Sequence, residues 1–321
     1  MTASVNDPVG LISNPQSGHN RDQFDTIRSR IDACPAIQHV ITRSPADIPG
    51  ALAQLRNAGV KVLAINGGDG TASAILGRML EAGYFETPPA IIILPGGTAN
   101  MNAGDVGARG SLKRAVERFC RWCETGQPEA TRVKRALLRL ERPGDEHPHY
   151  GMFLGGGAVI QGTEYAHREI HARGLRDDFS LALGTVRTVW GVARGHPEFS
   201  APQQIGLRLD GGDQHRHDAR ILAVSTLERL AFGMRPFWGE GSGALRVTVM
   251  EQNCSRFART FFRIIRGRPG ANAVPEQGYF SHNADMVELE LEGKLNLDGE
   301  ILDTRGIADI RASRPLEFIR L

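Results

Sequence analysis

Strand-like and helix-like segments alternate through roughly the first 130 residues, and this alternation constrains the fold more than any other feature. Four short apolar segments, at 9–14, 37–42, 60–65 and 90–94, are each followed by a turn and a stretch with helical character. Parallel strands need a long crossover connection, which is usually a helix. The alternation therefore predicts a mainly parallel sheet covered by helices on both faces.

After about residue 131 the pattern changes to short β-like runs separated by turns, with one helical stretch at roughly 161–192. The predicted strands of this half lie at 135–142, 149–157, 203–210, 219–226, 244–250, 286–293 and 316–321. Many short strands with turn signals favour an antiparallel sandwich or barrel. We therefore predict an α/β domain over 1–133 and a β-rich domain over 134–321, with a cleft between them and the last strand able to pack back on the first domain.

Composition narrows the class of protein. The formal net charge of +2 is too small to favour nucleic acid as the main partner, so an anionic partner would have to meet a local basic patch. The N-terminus lacks a basic segment followed by an apolar one, and the apolar run at 90–94 is too short to span a bilayer. Four cysteines in 321 residues do not form a disulfide framework. We expect a cytoplasmic protein, and nothing in the sequence specifies its oligomeric state.

Two glycine-rich turns follow predicted strands. N-G-G-D-G-T at 66–71 surrounds a single carboxylate, Asp69, and L-P-G-G-T-A-N occupies 94–100. Glycine permits positive φ and lets a ligand approach backbone amides closely, and amides at a helix N-terminus bind phosphate. Turns at the carboxyl ends of parallel strands are also where open α/β sheets bind ligands. The alternative is that these glycines only relieve strain in tight strand-to-helix turns.

Four short motifs together resemble one known family. N-P-x-S-G at 14–18, G-G-D-G-T at 67–71, L-P-x-G-T-x-N at 94–100 and D-G-E at 298–300 occur in the order and spacing of the diacylglycerol kinase catalytic superfamily, which includes bacterial lipid kinases, sphingosine kinases and ceramide kinases. The resemblance extends from Leu11 to the final strand. Any single motif is weak evidence, but four in order are specific.

The resemblance implies an ATP-dependent lipid kinase with an α/β nucleotide-binding domain, a β-sandwich lipid-binding domain, and ATP with Mg2+ between them. Asp69 would activate the lipid hydroxyl, and Glu300 would act with it from the second domain. The residues implied to line the nucleotide are Asn14, Pro15, Thr42, Gly67, Gly68, Gly70, Thr71, Gly97, Thr98, Asn100, Asp298 and Gly299. Arg173 and Arg176 lie where similar kinases contact phosphate. The metal would be carried by the ATP phosphates, with no protein ligands assigned.

Each of these assignments has a structural alternative. Asp69 would then cap a turn, and D-G-E at 298–300 would be a polar hairpin turn, since Asp-Gly is a common turn pair. Two positions also depart from the family pattern: Met101 stands where an aspartate is usual, and G-S-G at 241–243 replaces a D-D-G that holds a structural metal. Both departures favour ceramide or a sphingoid base as acceptor over diacylglycerol. The remaining alternatives are a kinase of the NAD-kinase type and a non-catalytic lipid or nucleotide sensor.

The segment 255–270 contains five arginines and no acidic residue. In a helix, Arg256, Arg259, Arg263 and Arg266 would form one stripe beside an apolar stripe of phenylalanine and isoleucine. Such a helix either lies on an anionic membrane surface, which would make the protein peripheral to the inner face of the membrane, or packs its apolar side on the second domain. A strand at 260–265 is a third possibility.

Four aromatic residues of the second half offer a further choice between function and core. Trp190, Phe232, Phe237 and Trp238 would either line an acyl-chain pocket or belong to the hydrophobic core, and the core is the more common place for such residues.

Overall fold

The computed structural model describes residues 7–125, 130–164, 191 and 202–321. The chain forms two compact units. One runs to Arg135 and also contains Pro315–Leu321, and the other is Ala136–Arg314. The first unit is thus built from both ends of the chain.

The first unit alternates strands and helices, because each apolar run is followed by a segment with apolar residues at helical spacing. Its strands and helices are, in chain order, β1 (Val9–Ser13), α1 (Asn20–Asp32), β2 (Ile37–Ile41), α2 (Ile48–Asn57), β3 (Val62–Gly67), α3 (Asp69–Glu81), β4 (Ala90–Pro95), α4 (Met101–Val106), α5 (Leu112–Thr125) and β5 (Thr131–Arg135). The short helix α4 was not predicted, since six residues are too few to show a period.

The second unit is antiparallel and β-rich. Its strands and helix, in chain order, are β6 (Leu138–Glu141), β7 (His149–Gly151), β8 (Phe153–Gly157), β9 (Gln203–Leu209), β10 (His215–Ser225), β11 (Leu245–Glu251), α6 (Phe257–Ile265), β12 (Tyr279–Ala284), β13 (Met286–Leu297) and β14 (Glu300–Ala312). The last strand of the chain is β15 (Leu316–Arg320). Residues 158–164 are helical. The rest of the helical stretch predicted to 192, including Arg173, Arg176 and Trp190, lies outside the described residues apart from residue 191.

The sheet of the first unit has the order β2-β1-β3-β4-β15-β5. Every neighbouring pair is parallel except β15 with β5. On one face α1 and α5 bury a cluster that includes Phe24, Ile27 and Phe119. On the other face Leu55 of α2 packs directly against Gly10 of β1. Both faces are covered, which is why β1, β3 and β4 are continuous apolar runs with no polar alternation.

The sheet of the second unit has nine strands, in the order β12-β11-β10-β8-β13-β14-β6-β7, with β9 paired to both β10 and β13. The longest pairing is the β13–β14 hairpin, which runs from Met286 opposite Arg311 to Leu297 opposite Glu300. Its inward residues join one core with β6, β8, β9, β10 and β11. The strands β12 and β14 were not predicted, because charged and small residues break their apolar pattern. Among the described residues no helix is both long and apolar enough to cross a membrane.

Candidate active site

Three turns of the first unit lie at the carboxyl ends of adjacent parallel strands. Ser13 of β1 is in register with Asn66 of β3, and Gly67 of β3 is in register with Pro95 of β4. The strands therefore end at the same level, and the turns that follow them, at 14–18, 67–71 and 95–100, are neighbours. This edge is where open α/β sheets bind ligands.

The first turn is bound to the beginning of α3 by side-chain hydrogen bonds. Asn14 donates its Nδ2 hydrogen to Thr71 Oγ1 at 3.0 Å, and Ser17 Oγ accepts the Gly68 N–H at 3.2 Å. Ser17 Oγ also lies 3.3 Å from Thr71 Oγ1. Pro15 is a half-buried residue within this turn. Ser17 was not predicted as a site residue, although its place in N-P-x-S-G was the available signal.

The buried Asn20, which was also not predicted, holds the same turn by hydrogen bonds to the backbone. Asn20 Nδ2 donates to the backbone oxygens of Asn14 at 2.7 Å and Asn66 at 3.2 Å. It thus joins the ends of β1 and β3. Thr42, at the end of β2, is also buried, and its N–H donates to Ser13 O at 2.9 Å. Thr42 therefore continues the row of strand ends.

The glycines of the turns are required because atoms of neighbouring turns and strand ends approach them closely. A Cβ on Gly97 would lie 2.3 Å from Gly68 Cα, one on Gly18 would lie 2.2 Å from Thr98 Oγ1, and one on Gly96 would lie 2.4 Å from Asn66 Oδ1. No side chain fits at such distances. Positive φ, the other predicted reason for glycine, does not occur in the turns at 67–71 and 96–97.

Asn100 holds the third turn closed. Its Oδ1 accepts the Gly97 N–H at 2.9 Å, and its Nδ2 donates to Gly97 O at 2.9 Å. Asn100 itself has a φ of +50°, a conformation that asparagine tolerates better than most residues. Thr98, at the tip between Gly97 and Asn100, is exposed. The turn is therefore rigid at its base and accessible at Thr98.

Asp69 joins the second turn to the third. It is the first residue of α3, and its carboxylate accepts the N–H of Met101 at 3.0 Å and the N–H of Asn102 at 2.9 Å. It therefore caps the N-terminus of α4, which begins at Met101. Burial raises the pKa of Asp69, while the two N–H donors oppose that shift. Asp69 thus has a structural role as a capping residue, as in the structural alternative given above. Its role toward a lipid hydroxyl stays a prediction.

The N-terminus of α3 differs from that of α4. Gly68 precedes it with an extended backbone (φ −82°, ψ 176°) and donates its own N–H to Ser17 Oγ, but no side chain of the described residues accepts the N–H groups of the first turn that follows. First-turn N–H groups have no partner within a helix, so they are available to an anion. Gly70, in this first turn, is exposed, whereas Gly67 is buried. The uncapped amides, the close-packed glycine backbones and the exposed Thr98 together can bind an anion such as phosphate.

D-G-E at 298–300 forms a two-residue hairpin turn in the second unit. Asp298 and Gly299 have φ values of +48° and +97°, as in a type I′ turn between β13 and β14. The Asp298 carboxylate accepts the N–H of Met152 at 2.8 Å and of Phe153 at 3.0 Å, which ties the hairpin to β8. Glu300, the first residue of β14, is exposed. The polar hairpin turn is therefore present, and the roles of Asp298 and Glu300 toward nucleotide stay predictions.

The basic stripe consists of Arg256, Arg259, Arg263 and Arg266, which are all exposed. Arg259 and Arg263 lie on the exposed side of α6, and Arg256 and Arg266 flank its two ends. The other side of the helix, with Phe257, Phe261 and Ile264, is buried against residues of β10, β11 and β12. The strand at 260–265 is thus wrong, and the apolar side of the helix packs on its own unit. Arg259 and Arg263 remain at the surface because they occupy the opposite face of the helix.

The described aromatic residues of the predicted pocket or core do not form one group. Trp238 is half-buried, donates its Nε1 hydrogen to Ala273 O at 3.2 Å and packs beside α6. Phe237 is half-buried, and Phe232 is 64% exposed. Phe232 therefore does not belong to the core, because its position in a turn directs the ring outward.

The family comparison identifies the first unit. Residues 8–126 match the diacylglycerol kinase catalytic domain. Over these residues the chain therefore carries a kinase domain similar to those of the diacylglycerol kinase catalytic superfamily. A comparison with curated proteins finds no match.

Solved structures show that the fold of the whole chain is also that of this group. A diacylglycerol kinase from Bacillus anthracis str. Sterne is 17% identical, with a TM-score of 0.63 over 98% of this chain and 96% of the other. A second structure from that organism, described as a candidate diacylglycerol kinase, is 18% identical, with a TM-score of 0.67 over 98% and 97% of the two chains. At these identities the likeness establishes the fold alone.

Proposed function

We propose that this chain transfers the γ-phosphate of ATP to a hydroxyl group of a membrane lipid. The observation that carries the proposal is the meeting of the turns at 14–18, 67–71 and 95–100 within a diacylglycerol kinase catalytic domain. Phosphoryl transfer depends mainly on positioning and charge stabilisation, which rigid backbone amides supply. A triphosphate is the ligand that such a set of amides would hold.

In this proposal each turn has a separate part. The uncapped N-terminus of α3 binds phosphate oxygens, and Thr98 adds a hydroxyl from the third turn. Asp69, whose pKa is raised by burial, accepts the proton of the attacking hydroxyl. Each of its oxygens accepts one backbone N–H and has a further lone pair for that purpose. When bound, Mg2+ would neutralise phosphate charge; the described residues contain no cluster of three or more His, Cys, Asp or Glu side chains placed to hold a metal.

The acceptor in this proposal is ceramide or a sphingoid base, with diacylglycerol as the alternative. Met101 and the G-S-G turn at 241–243 favour the sphingolipids. The turn offers no acid, and its glycines pack on β12, where a Cβ on Gly243 would lie 2.0 Å from the backbone carbon of Ala284. The family name and the titles of the similar structures favour diacylglycerol.

The lipid acceptor places the chain at a membrane surface, and we propose that it is peripheral to the cytoplasmic face. The exposed basic stripe supports this, since each arginine near an anionic surface contributes on the order of 1 kcal/mol. Peripheral attachment of this kind requires no membrane-spanning segment.

The test is transfer of labelled γ-phosphate from Mg-ATP to ceramide, sphingosine and diacylglycerol, side by side in mixed micelles, with NAD as a soluble control. A labelled lipid supports the proposal and identifies the acceptor. Labelled NAD alone would replace it with a kinase of the NAD-kinase type. ATP binding without any labelled product would leave a non-catalytic sensor.

A further inference from the structure

Phe232 lies exposed at the tip of a short turn. Only two large hydrophobic side chains are exposed in the described part of the chain, Phe232 at 64% and Ile307 at 52%. Single exposed apolar side chains are common at protein surfaces, so the significance of Phe232 depends on its backbone conformation and on the charges beside it.

The backbone of this turn holds the ring outward at a conformational cost. Phe232 has a φ of +56° and a ψ of 20°, a left-handed conformation that is unfavourable for a bulky residue. Three backbone hydrogen bonds close the turn: Leu230 N–H to Met234 O at 2.8 Å, Gly233 N–H to Leu230 O at 3.0 Å, and Met234 N–H to Ala231 O at 3.3 Å. The ring is therefore presented by a defined turn.

The turn is attached to the C-terminal end of α6. The Arg235 N–H donates to Ile265 O, the last residue of that helix, at 2.8 Å. The Arg235 side chain also lies against Gly267, where a Cβ would be 3.3 Å from Arg235 Cβ. Phe232 and the basic stripe, which ends at Arg266, therefore belong to one surface of the second unit.

This surface is strongly basic. The segments 229–238 and 255–270 contain no aspartate or glutamate. Their arginines are Arg229, Arg235, Arg256, Arg259, Arg263, Arg266 and Arg268, and all except the half-buried Arg229 are exposed. Within the described residues none of the seven is ion-paired; Arg266 lies over the ring of Phe262, with 5.9 Å between Cζ and the ring centroid. Unpaired positive charge around an exposed aromatic ring complements an anionic lipid surface.

We propose that Phe232 and the basic stripe form one docking surface for an anionic lipid bilayer. The arginines meet the headgroups, and the Phe232 ring enters the boundary between headgroups and acyl chains. The inference rests on the proposed function, because a lipid acceptor is the reason why the chain would meet a bilayer. The geometry of the surface does not depend on that function.

The first experiment measures binding of the full-length protein to phosphatidylcholine–phosphatidylglycerol vesicles and to pure phosphatidylcholine vesicles, without ATP. Phe232→Gly removes the ring and suits the left-handed backbone, so the unfolding temperature should not fall. We expect roughly ten-fold weaker binding to the mixed vesicles, because the variant loses the free energy of partly burying one aromatic side chain in the bilayer. Ile307→Gly, which removes the other exposed side chain from β14, is the matched control and should bind as the wild type does.

The charged part of the surface is tested by the pair Arg259→Gln and Arg263→Gln. We expect on the order of ten-fold weaker binding or more, and the difference from wild type should shrink at high salt. The control pair, Arg305→Gln and Arg311→Gln, removes two exposed arginines from β14 and should leave binding unchanged. Equal losses for both pairs would mean that only net charge matters, which would overturn the docking surface.

Insertion of the ring is tested with Phe232→Trp and vesicles that contain brominated acyl chains. We expect quenching of the introduced indole beyond the quenching of the three native tryptophans in the wild type. Absence of extra quenching, or wild-type binding by Phe232→Gly, would overturn the inference even if lipid phosphorylation in micelles is found. Conversely, a Phe232-dependent interaction without any phosphorylated lipid would leave the surface standing and the kinase proposal refuted.

Discussion

At the scale of single residues, Asp69 combines a structural contact with a chemically suited position. Its two oxygens accept the N–H groups of Met101 and Asn102, so a residue of the second turn fixes the start of the helix that follows the third turn. A carboxylate is needed for this because both atoms must accept. The same constraint holds the carboxylate at the edge where the proposed nucleotide site lies.

We predict that Asp69→Asn destabilises the protein as well as inactivating it. The amide nitrogen of asparagine would face one of the two N–H groups and leave a buried donor unsatisfied, which costs about 1–3 kcal/mol. Chemical denaturation and γ-phosphate transfer should both be measured. Normal stability with lost transfer would show that the capping contact is dispensable, and normal transfer would remove Asp69 from catalysis.

Gly97 gives a second prediction at this scale. Gly97→Ala places a Cβ 2.3 Å from Gly68 Cα, so the second and third turns must separate. We expect ATP affinity to fall at least about ten-fold, since misplaced amides lose their phosphate contacts. Binding is measured by isothermal titration calorimetry. Gly104→Ala in α4, where a Cβ meets no atom within 4 Å, is the control and should bind ATP normally.

At the scale of secondary-structure elements, the N-termini of α3 and α4 have different tasks. The amides of α4 are satisfied by Asp69, whereas no side chain of the described residues caps α3. A capped helix end stabilises the fold, and an uncapped one remains open to an anion. Local sequence does not distinguish these two helix ends, and both glycine-rich turns were predicted to bind phosphate.

The contact between α1 and β2 predicts a pH dependence of stability. His39 Nδ1 lies 3.1 Å from Asp32 Oδ1 and its Nε2 lies 2.9 Å from Ser13 Oγ. Burial lowers the pKa of His39, because it outweighs the attraction to half-exposed Asp32. The folded state therefore binds fewer protons than the unfolded state once the pH falls below the unfolded pKa of about 6.5, and stability is lost there.

We expect the unfolding temperature of the wild type to fall between about pH 7 and about pH 5, and to fall less in His39→Gln. Glutamine cannot gain a proton, so this part of the pH dependence disappears. The hydrogen bond between His39 and Asp32 also lowers the pKa of Asp32, but that effect appears only at more acidic pH. Parallel pH profiles for the two proteins would contradict the assignment.

At the scale of the whole molecule, the first unit depends on both ends of the chain. β15 lies between β4 and β5, and its Leu316, Phe318 and Ile319 are at most 1% exposed. Next to this strand the buried Asp105 pairs with Arg135 at 3.3 Å, and its backbone oxygen accepts a hydrogen bond from Arg320 at 2.7 Å. Without the last strand, the kinase domain at 8–126 therefore lacks part of its core.

We predict that deletion of residues 315–321 prevents the first unit from folding. Each large buried side chain contributes about 2–5 kcal/mol, so losing three of them approaches the whole stability of an ordinary domain. Limited proteolysis should cut the truncated chain rapidly between β1 and β5. Glu317→Gln changes only a partly exposed ion pair with Arg132 and should resist like the wild type. A protease-resistant first unit in the truncated chain would contradict this.

The sequence by itself determined the parallel α/β character of the first unit, the antiparallel β-rich character of the second, and the turns that belong to one kinase family. These features follow from local periodicity and from glycines at fixed spacing. Both depend on steric contacts between residues close together in the chain, so they can be recognised in the sequence. Only the tertiary structure decided that β15 inserts between β4 and β5, that Asp69 caps α4, and that Phe232 is exposed. Each of these depends on strand register or on contacts between residues far apart in the chain, and a local pattern does not encode which distant partner a residue meets.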